Sequence, residues 1–269
     1  METSESPFVF KAIAAVALLL LLAPTVVTVV AAFNEGNYLQ FPPQGLSLRW
    51  IEAFLTGPLF RESFTFSFRL AFCATLISTV LGTAAALALV RLRFRGREVL
   101  RAVMLAPIVL PGMVLGLALL SFYAAIQMGL FRTFSGLLLA HVLVTLPFVI
   151  ATVGAALARF DRSLEEAARS LGAGPVRAFF DVTMRVTAQG ILAGATFAFI
   201  VSFGQFDISL FLATSEMRPL PVALYDSIRY RTDPTIAAAG VFAISTVFLS
   251  MTLVHVLTNR KGKRAAPKG

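Results

Sequence analysis

The sequence predicts an all-α, polytopic membrane protein with six transmembrane helices, and three observations predict it. Of 269 residues, 58% are hydrophobic and only 14% are charged, where a soluble domain of this length carries roughly a quarter charged residues. The apolar residues come in long blocks rather than at spaced positions, and the mean hydropathy is +0.83, which places the chain in the membrane class. The blocks do not alternate as barrel strands do, and a lipid-exposed backbone must satisfy its own hydrogen bonds, so helices are expected.

Six blocks reach the roughly 20 residues that a helix needs to cross a bilayer: Ala12–Phe33, Phe64–Val90, Val103–Ile126, Thr133–Ala158, Gly190–Ala213 and Thr235–Leu257. The first competes with a signal-peptide reading because small residues close it. Its 22 residues exceed a normal signal core, and its leader holds Glu2 and Glu5 against Lys11 alone, so a retained span is expected.

Orientation follows from Lys and Arg between the blocks. Sixteen flank one side, around Lys11, Arg91–Arg101, Arg159–Arg185 and the tail from Arg260 on; six flank the other. The richer side is read as cytoplasmic, so both termini and the loop between spans four and five face inward. The net charge of +9 is thereby assigned to topology, and no nucleic-acid partner is expected, because the basic residues do not gather on one face. The run Arg91–Arg101 reads first as topology-setting charge, with contact to anionic membrane lipids or a partner as a lesser reading.

Pro107 and Pro111 in the third span and Pro147 in the fourth predict kinks. Between spans one and two, the stretch around Trp50 predicts a short interfacial helix. Cys73, the single cysteine, reads as a small buried hydrophobe. His141 opens the fourth span and His255 closes the sixth. Neither has a ligand-type neighbour at i+3 or i+4, so interfacial anchoring is expected and no metal site.

Residues Ser163–Arg185 are polar between two apolar blocks. Ser163-Leu-Glu-Glu166 matches a capping box, in which Ser163 accepts from the third helical N–H and Glu166 reaches back. A short helix is expected to about Leu171, ended by Gly172 in a left-handed conformation. Gly174-Pro175 restarts a helix with proline at its first position. Val176, Phe179, Phe180 and Thr183 follow at i, i+3, i+4 and i+7 and predict one less polar face. The expected object is two short helices on a glycine bend, and phenylalanines facing water point to a partner surface.

The spacing Glu166-Ala167-Ala168, three residues, Gly172, nine residues, Val182-Thr-Met184 resembles the EAA loop of permease subunits in binding-protein-dependent ABC importers. Arg185 stands where that pattern has proline. The spans from about residue 60 to 257 resemble the family's core in order, nearest to the spermidine/putrescine branch. The resemblance implies the type I importer permease fold. It implies an N-terminal helix and first outer segment over residues 1–62, a core over 63–257 with its coupling loop at 159–189, and a basic tail over 258–269. It implies that the loop docks on a separate cytoplasmic ATPase through Glu166, Ala167, Ala168, Gly172, Ala173 and Pro175. Implied partners are two ATPase copies, a second permease subunit of a different chain, and a periplasmic or lipid-anchored solute-binding protein in the inner membrane system. The chain has no G-x-x-x-x-G-K-[ST] motif, so it is expected to be no enzyme and to hold no cofactor, with ATP bound by the partner.

Asp207 is the only carboxylate well inside these spans, with Gln205 and Ser202 near it, and an intramembrane charge marks a functional hypothesis. Three readings stay open for it: internal pairing with Arg69 or another polar group, a lining role on the substrate path, or exposure at the outer end. The polyamine branch carries acidic residues where Gly204 and Gln205 stand here, and their loss argues against assuming a polyamine itself; what the resemblance implies is a small solute, polyamine-like or a related organic compound. The rival reading is a stand-alone secondary transporter or channel, which would need coupling-ion ligands or a lined pore at mid-membrane.

Overall fold

The computed structural model describes residues 7–38, 40–126, 129–230 and 234–264. The basic tail beyond residue 264, Arg231 and the side chain of His255, with its expected anchoring role, lie outside the described residues. Twelve α-helices are described in order: α1 (Pro7–Ala32), α2 (Arg49–Thr56), α3 (Pro58–Arg91), α4 (Arg97–Val109), α5 (Gly112–Ile126), α6 (Phe134–Ala158), α7 (Ser163–Ser170), α8 (Pro175–Ala178), α9 (Met184–Phe203), α10 (Asp207–Leu212), α11 (Leu220–Tyr230) and α12 (Thr235–Arg264), with a π-helical turn at Phe179–Thr183 between α8 and α9. Among the described residues the only β pairing is an isolated bridge between Asn34 and Leu46.

Five helices are long and apolar enough to cross a membrane, and a sixth span results if α4 and α5 count as one, bent by 109°. That bend revises the third expected span. Pro107 stays inside α4, and the chain breaks at Leu110–Pro111 instead, where Leu110 is extended (φ −74°, ψ 136°). The residue before a proline avoids the helical region, so the break falls one residue ahead of Pro111. Pro147 likewise lies inside α6, which runs unbroken.

The fifth expected span is displaced. A continuous helical run goes from Pro175 through the π turn to Phe203, then breaks at Gly204–Phe206 before the six-residue α10. So the second of the two expected short helices is the head of a span. Arg185 explains the continuity: proline there would remove an N–H and crowd the previous turn, whereas arginine passes through.

Two compact units divide the chain. One comprises Met1–Glu62 with Ala223–Thr246, the other Ser63–Val222 with Val247–Gly269. In the first unit, α1 is apolar all round and exposed over most of its length in the isolated chain, as a lipid-facing span is. The predicted short helix is α2. It turns Phe54 inward to stack on Phe242 at 4.3 Å, and the Trp50 indole N–H donates to the Gly36 carbonyl.

In the second unit α6 is the axis, with 61% of its span buried. Small residues let its neighbours approach. A methyl on Gly194 would stand 2.5 Å from Thr152 Oγ1, and one on Gly190 2.5 Å from Ala156 Cβ. One apolar cluster joins Leu70, Tyr123, Leu137, Ile208 and Leu212, and a second joins Ala86, Val149, Val153, Leu157 and Ala198. The helices α3, α5, α6, α9 and α10 are thereby held together, on both sides of the break between α9 and α10.

Candidate functional site

Two places carry chemistry that packing alone does not require: the polar loop from Arg159 to Gln189, and the pair of helix breaks around Asp207.

The first turn of α7 is closed differently from the capping box. Ser163 is itself the first helical residue, and the N-cap position falls on Arg162, whose side chain makes no cap bond. Asp161, two residues earlier, accepts from the Ser163 N–H at 2.9 Å, an Asx-type closure. The donated backbone N–H holds the Asp161 carboxyl below the usual carboxylate range.

The other end of α7 matches the sequence expectation. Gly172 has φ +93°, its N–H donates to the Arg169 carbonyl, and the Ala173 N–H donates to the Ala168 carbonyl. This is a Schellman motif, which satisfies two otherwise orphaned carbonyls and requires a left-handed residue. A Cβ on Gly172 would meet nothing within 4 Å, so the conformation and not crowding inside the chain demands glycine. Pro175 then sits in the first turn of α8.

The expected single apolar face is split. Phe179 and Thr183 turn inward, and Thr183 is fully buried. Val176 and Phe180 are exposed together with Leu164 and Leu171, the last 90% exposed. The outer side of the bend therefore presents an apolar knob. Glu166 and Ala167 are exposed beside it, Ala168 and Ala173 are half-buried, and Pro175 is exposed.

The inner side is polar and closed. Glu165 Oε2 accepts from Arg91 Nη2 at 2.8 Å and from the Thr183 hydroxyl at 2.6 Å, while Arg91 Nη2 also donates to Thr183 Oγ1 at 2.8 Å. The Arg91 guanidinium lies 5.7 Å from the rings of both Phe160 and Phe179. The Thr183 hydroxyl, then Arg91, keep the Glu165 carboxyl below its ordinary range. Sequence reasoning missed this ring and placed Thr183 on the less polar face. It read Arg91 as topology charge and singled out Glu166 rather than Glu165. The missing signal is the pairing of residues 74 and 92 positions apart, which no local periodicity reveals.

At the second place, Asp207 opens α10 directly after the break. Of the readings left open, pairing with Arg69 is not made: Arg69 is exposed on α3, and among the described residues no ion pair joins the two. Instead the carboxylate lies against the first residue of α5, Gly112. Both broken spans thus meet at Asp207. Gln205 is half-buried within the second break.

Ser202 is buried and engaged. Its hydroxyl is 2.8 Å from His141 Nδ1, and His141 Nε2 is 3.0 Å from the Ser209 hydroxyl. His141 is 1% exposed, so it is an interior residue and not the expected interfacial anchor. Helix α6 starts at Phe134, two turns earlier, and carries His141 into contact with α9 and α10. Donor counting orients one of these bonds. Ser209 donates to the Gln205 carbonyl at 2.7 Å, so it accepts from His141 Nε2–H, and on a neutral ring Nδ1 accepts from Ser202. The imidazole is satisfied on both nitrogens and bridges the break between α9 and α10. Thr145, which donates to the His141 carbonyl, also meets Ser78 of α3 at 2.7 Å. Among the described residues no group of three or more His, Cys, Asp or Glu side chains could hold a metal ion.

Known proteins share this architecture. Residues 78–264 match the family described as binding-protein-dependent transport system inner membrane component. The chain is 31% identical over 249 residues to the putrescine transport system permease protein PotI of Escherichia coli K12, covering 91% of this chain and 88% of that protein. It is 25% identical over 251 residues to the spermidine/putrescine transport system permease protein PotC of the same organism, covering 93% and 91%. A solved bacterial ABC transporter involved in import of the acidic polysaccharide alginate superposes with a TM-score of 0.66 at 18% identity, over 97% of this chain and 99% of that one.

Proposed function

The chain belongs to the family of inner membrane components of binding-protein-dependent transport systems, and from that premise we propose how its regions divide the work of an ABC importer permease. The polar loop is the docking element for a separate cytoplasmic ATPase. Glu166, Ala167, Ala168, Gly172, Ala173 and Pro175 form its contact region. The observation that carries this reading is the exposed apolar knob of Leu171, Val176 and Phe180 on a doubly capped bend. Apolar side chains on a rigid, water-facing turn favour a partner groove. Small alanines beside the knob allow close approach.

The remaining assignments follow from the family. Two ATPase copies bind and hydrolyse ATP, which this chain does not hold. A second permease subunit of a different sequence completes the path, a solute-binding protein delivers the cargo, and lipid surrounds the exposed spans. The permease alternates access by rearranging discontinuous helices when the loop is moved. On the path, Asp207 and Gln205 stand where both broken spans meet, while the Ser202 hydroxyl is occupied by His141 and serves from behind. The similarity to PotI and PotC supports a small organic cation as solute, with Asp207 as the carboxylate on the path.

The test is co-purification of the chain with an ATPase encoded beside it, before and after Gly172→Val. A β-branched residue is strained at positive φ and unfolds the bend. Loss of the ATPase and of uptake supports docking through this loop. A complex and uptake equal to those of the parent chain overturn it.

A further inference from the structure

The α7 helix has eight residues, too few to hold its shape without tertiary ties. If a partner pushes it, the push reaches the spans only through what α7 is fastened to. The inner fastening is the Arg91–Glu165–Thr183 ring. Arg91 is the last residue of the 34-residue α3. Thr183 closes the π turn in the 29-residue run that continues as α9. Glu165, in the first turn of α7, is bound to both at once.

The chemistry suits a stiff joint. Every atom has a permitted role: Arg91 donates twice, Glu165 accepts twice, and Thr183 accepts one bond and donates the other. Two of the three bonds are charge-assisted with the carboxylate, and such bonds are short and strong. The Arg91 and Glu165 side chains are only 22% and 20% exposed, so the pair is screened less than a surface bridge. The guanidinium also sits at the C-terminus of α3, where the helix dipole favours a cation. The neighbouring Arg97–Glu98 and Arg177–Asp181 pairs are more exposed, and each lies within one helix or one continuous helical run, so neither joins two spans.

We propose that Arg91, Glu165 and Thr183 form the node through which displacement of α7 moves α3 and the α8–α9 run together, with Glu165 as its positioning residue. The proposal rests on the docking reading above. It divides two adjacent glutamates: Glu166 faces the partner, and Glu165 faces the spans.

The test uses the permease assembled with its ATPase and second permease in lipid nanodiscs, in a Cys73→Ser background. Spin labels at the exposed positions Phe72 on α3 and Phe197 on α9 report their separation with and without ATP. The parent is expected to show an ATP-dependent shift. Glu165→Gln and Thr183→Val are expected to lose it while retaining the ATPase, and Thr183→Ser, which keeps the hydroxyl, to restore it. Arg93→Gln, on the same flank but outside the ring, is expected to behave as the parent. An unchanged shift in Glu165→Gln and Thr183→Val overturns the node, as does a parent that shows none, or a Thr183→Ser protein as impaired as Thr183→Val. Loss of the ATPase from the two variants also overturns it, by placing these residues in docking. Failure of the docking reading looks different: the parent chain itself retains no ATPase.

Discussion

The Asp207 carboxylate lies so close to Gly112 that a methyl group on Gly112 would stand 2.5 Å from Oδ2 and 2.9 Å from Cβ of Asp207. The contact joins the first residue of α5 to the first residue of α10, so each broken span begins again against the other.

Gly112→Ala is therefore expected to force α5 and α10 apart, at a cost of about 1–3 kcal/mol for overpacking, and to depress uptake. Asp207→Gly alone removes the carboxylate together with the Cβ, and the double variant Gly112→Ala/Asp207→Gly fits where the single alanine does not. Thermal unfolding of the four proteins in detergent gives the coupling. Additive losses would show that the two residues do not share the space.

His141→Ala leaves the buried Ser202 hydroxyl without its partner, although Ser209 keeps the Gln205 carbonyl. Interhelical hydrogen bonds in membranes contribute about 0.6–2 kcal/mol each, so a loss of about 1–3 kcal/mol is expected once the orphaned hydroxyl is included. His141→Ala/Ser202→Ala should recover some of it. Hydrogen exchange at Gly204–Phe206 reads the local effect: unchanged protection there would mean that the imidazole does not hold the break.

Arg185→Pro installs the residue of the family pattern in a helix that runs through this position. An interior proline costs about 3 kcal/mol or more. The variant is expected to accumulate poorly and to transport poorly. A well-expressed, fully active Arg185→Pro protein would show that the run from Pro175 to Phe203 tolerates a break.

Acid should loosen the loop before the spans. The folded-state pKa of Glu165 lies below its ordinary value of 4.5, first because the Thr183 hydroxyl donates to it. A depressed carboxyl contributes its full stability above the unfolded value and loses it as pH falls through the folded one. Protection of α7 is thus expected to fall as the medium is acidified below about pH 4.5, and Glu165→Gln should be weaker at neutral pH but lose less across that window, where only the Asp161 closure of α7 still titrates. Equal pH profiles for the two proteins would contradict the assignment.

Much of this molecule is legible in composition and spacing. The long apolar blocks announce spans because a helix must be about 20 residues long to cross the bilayer. Gly172 and Pro175 announce the bend because backbone conformation at those residues is a local property. The EAA spacing points to the family by the same locality. Where expectation and structure diverge, the cause is a contact between distant residues or a choice between nearby ones. Asp161 rather than Ser163 closes α7 because the helix starts at Ser163 itself, which leaves that side chain inside the first turn. The fifth span starts fifteen residues early, at Pro175 instead of Gly190, because Arg185 lets the helix continue.

The sequence by itself determined the class, the approximate positions of most membrane spans and the glycine bend, since hydrophobic length, glycine conformation and proline chemistry act within a few residues. Only the tertiary structure decided that Glu165 meets Arg91 and Thr183, that His141 bridges two serines, and that Asp207 faces Gly112 instead of Arg69. Those pairings depend on how helices far apart in the chain pack, and packing is settled by shape and by the need of every buried polar group for a partner, neither of which is written at any one position.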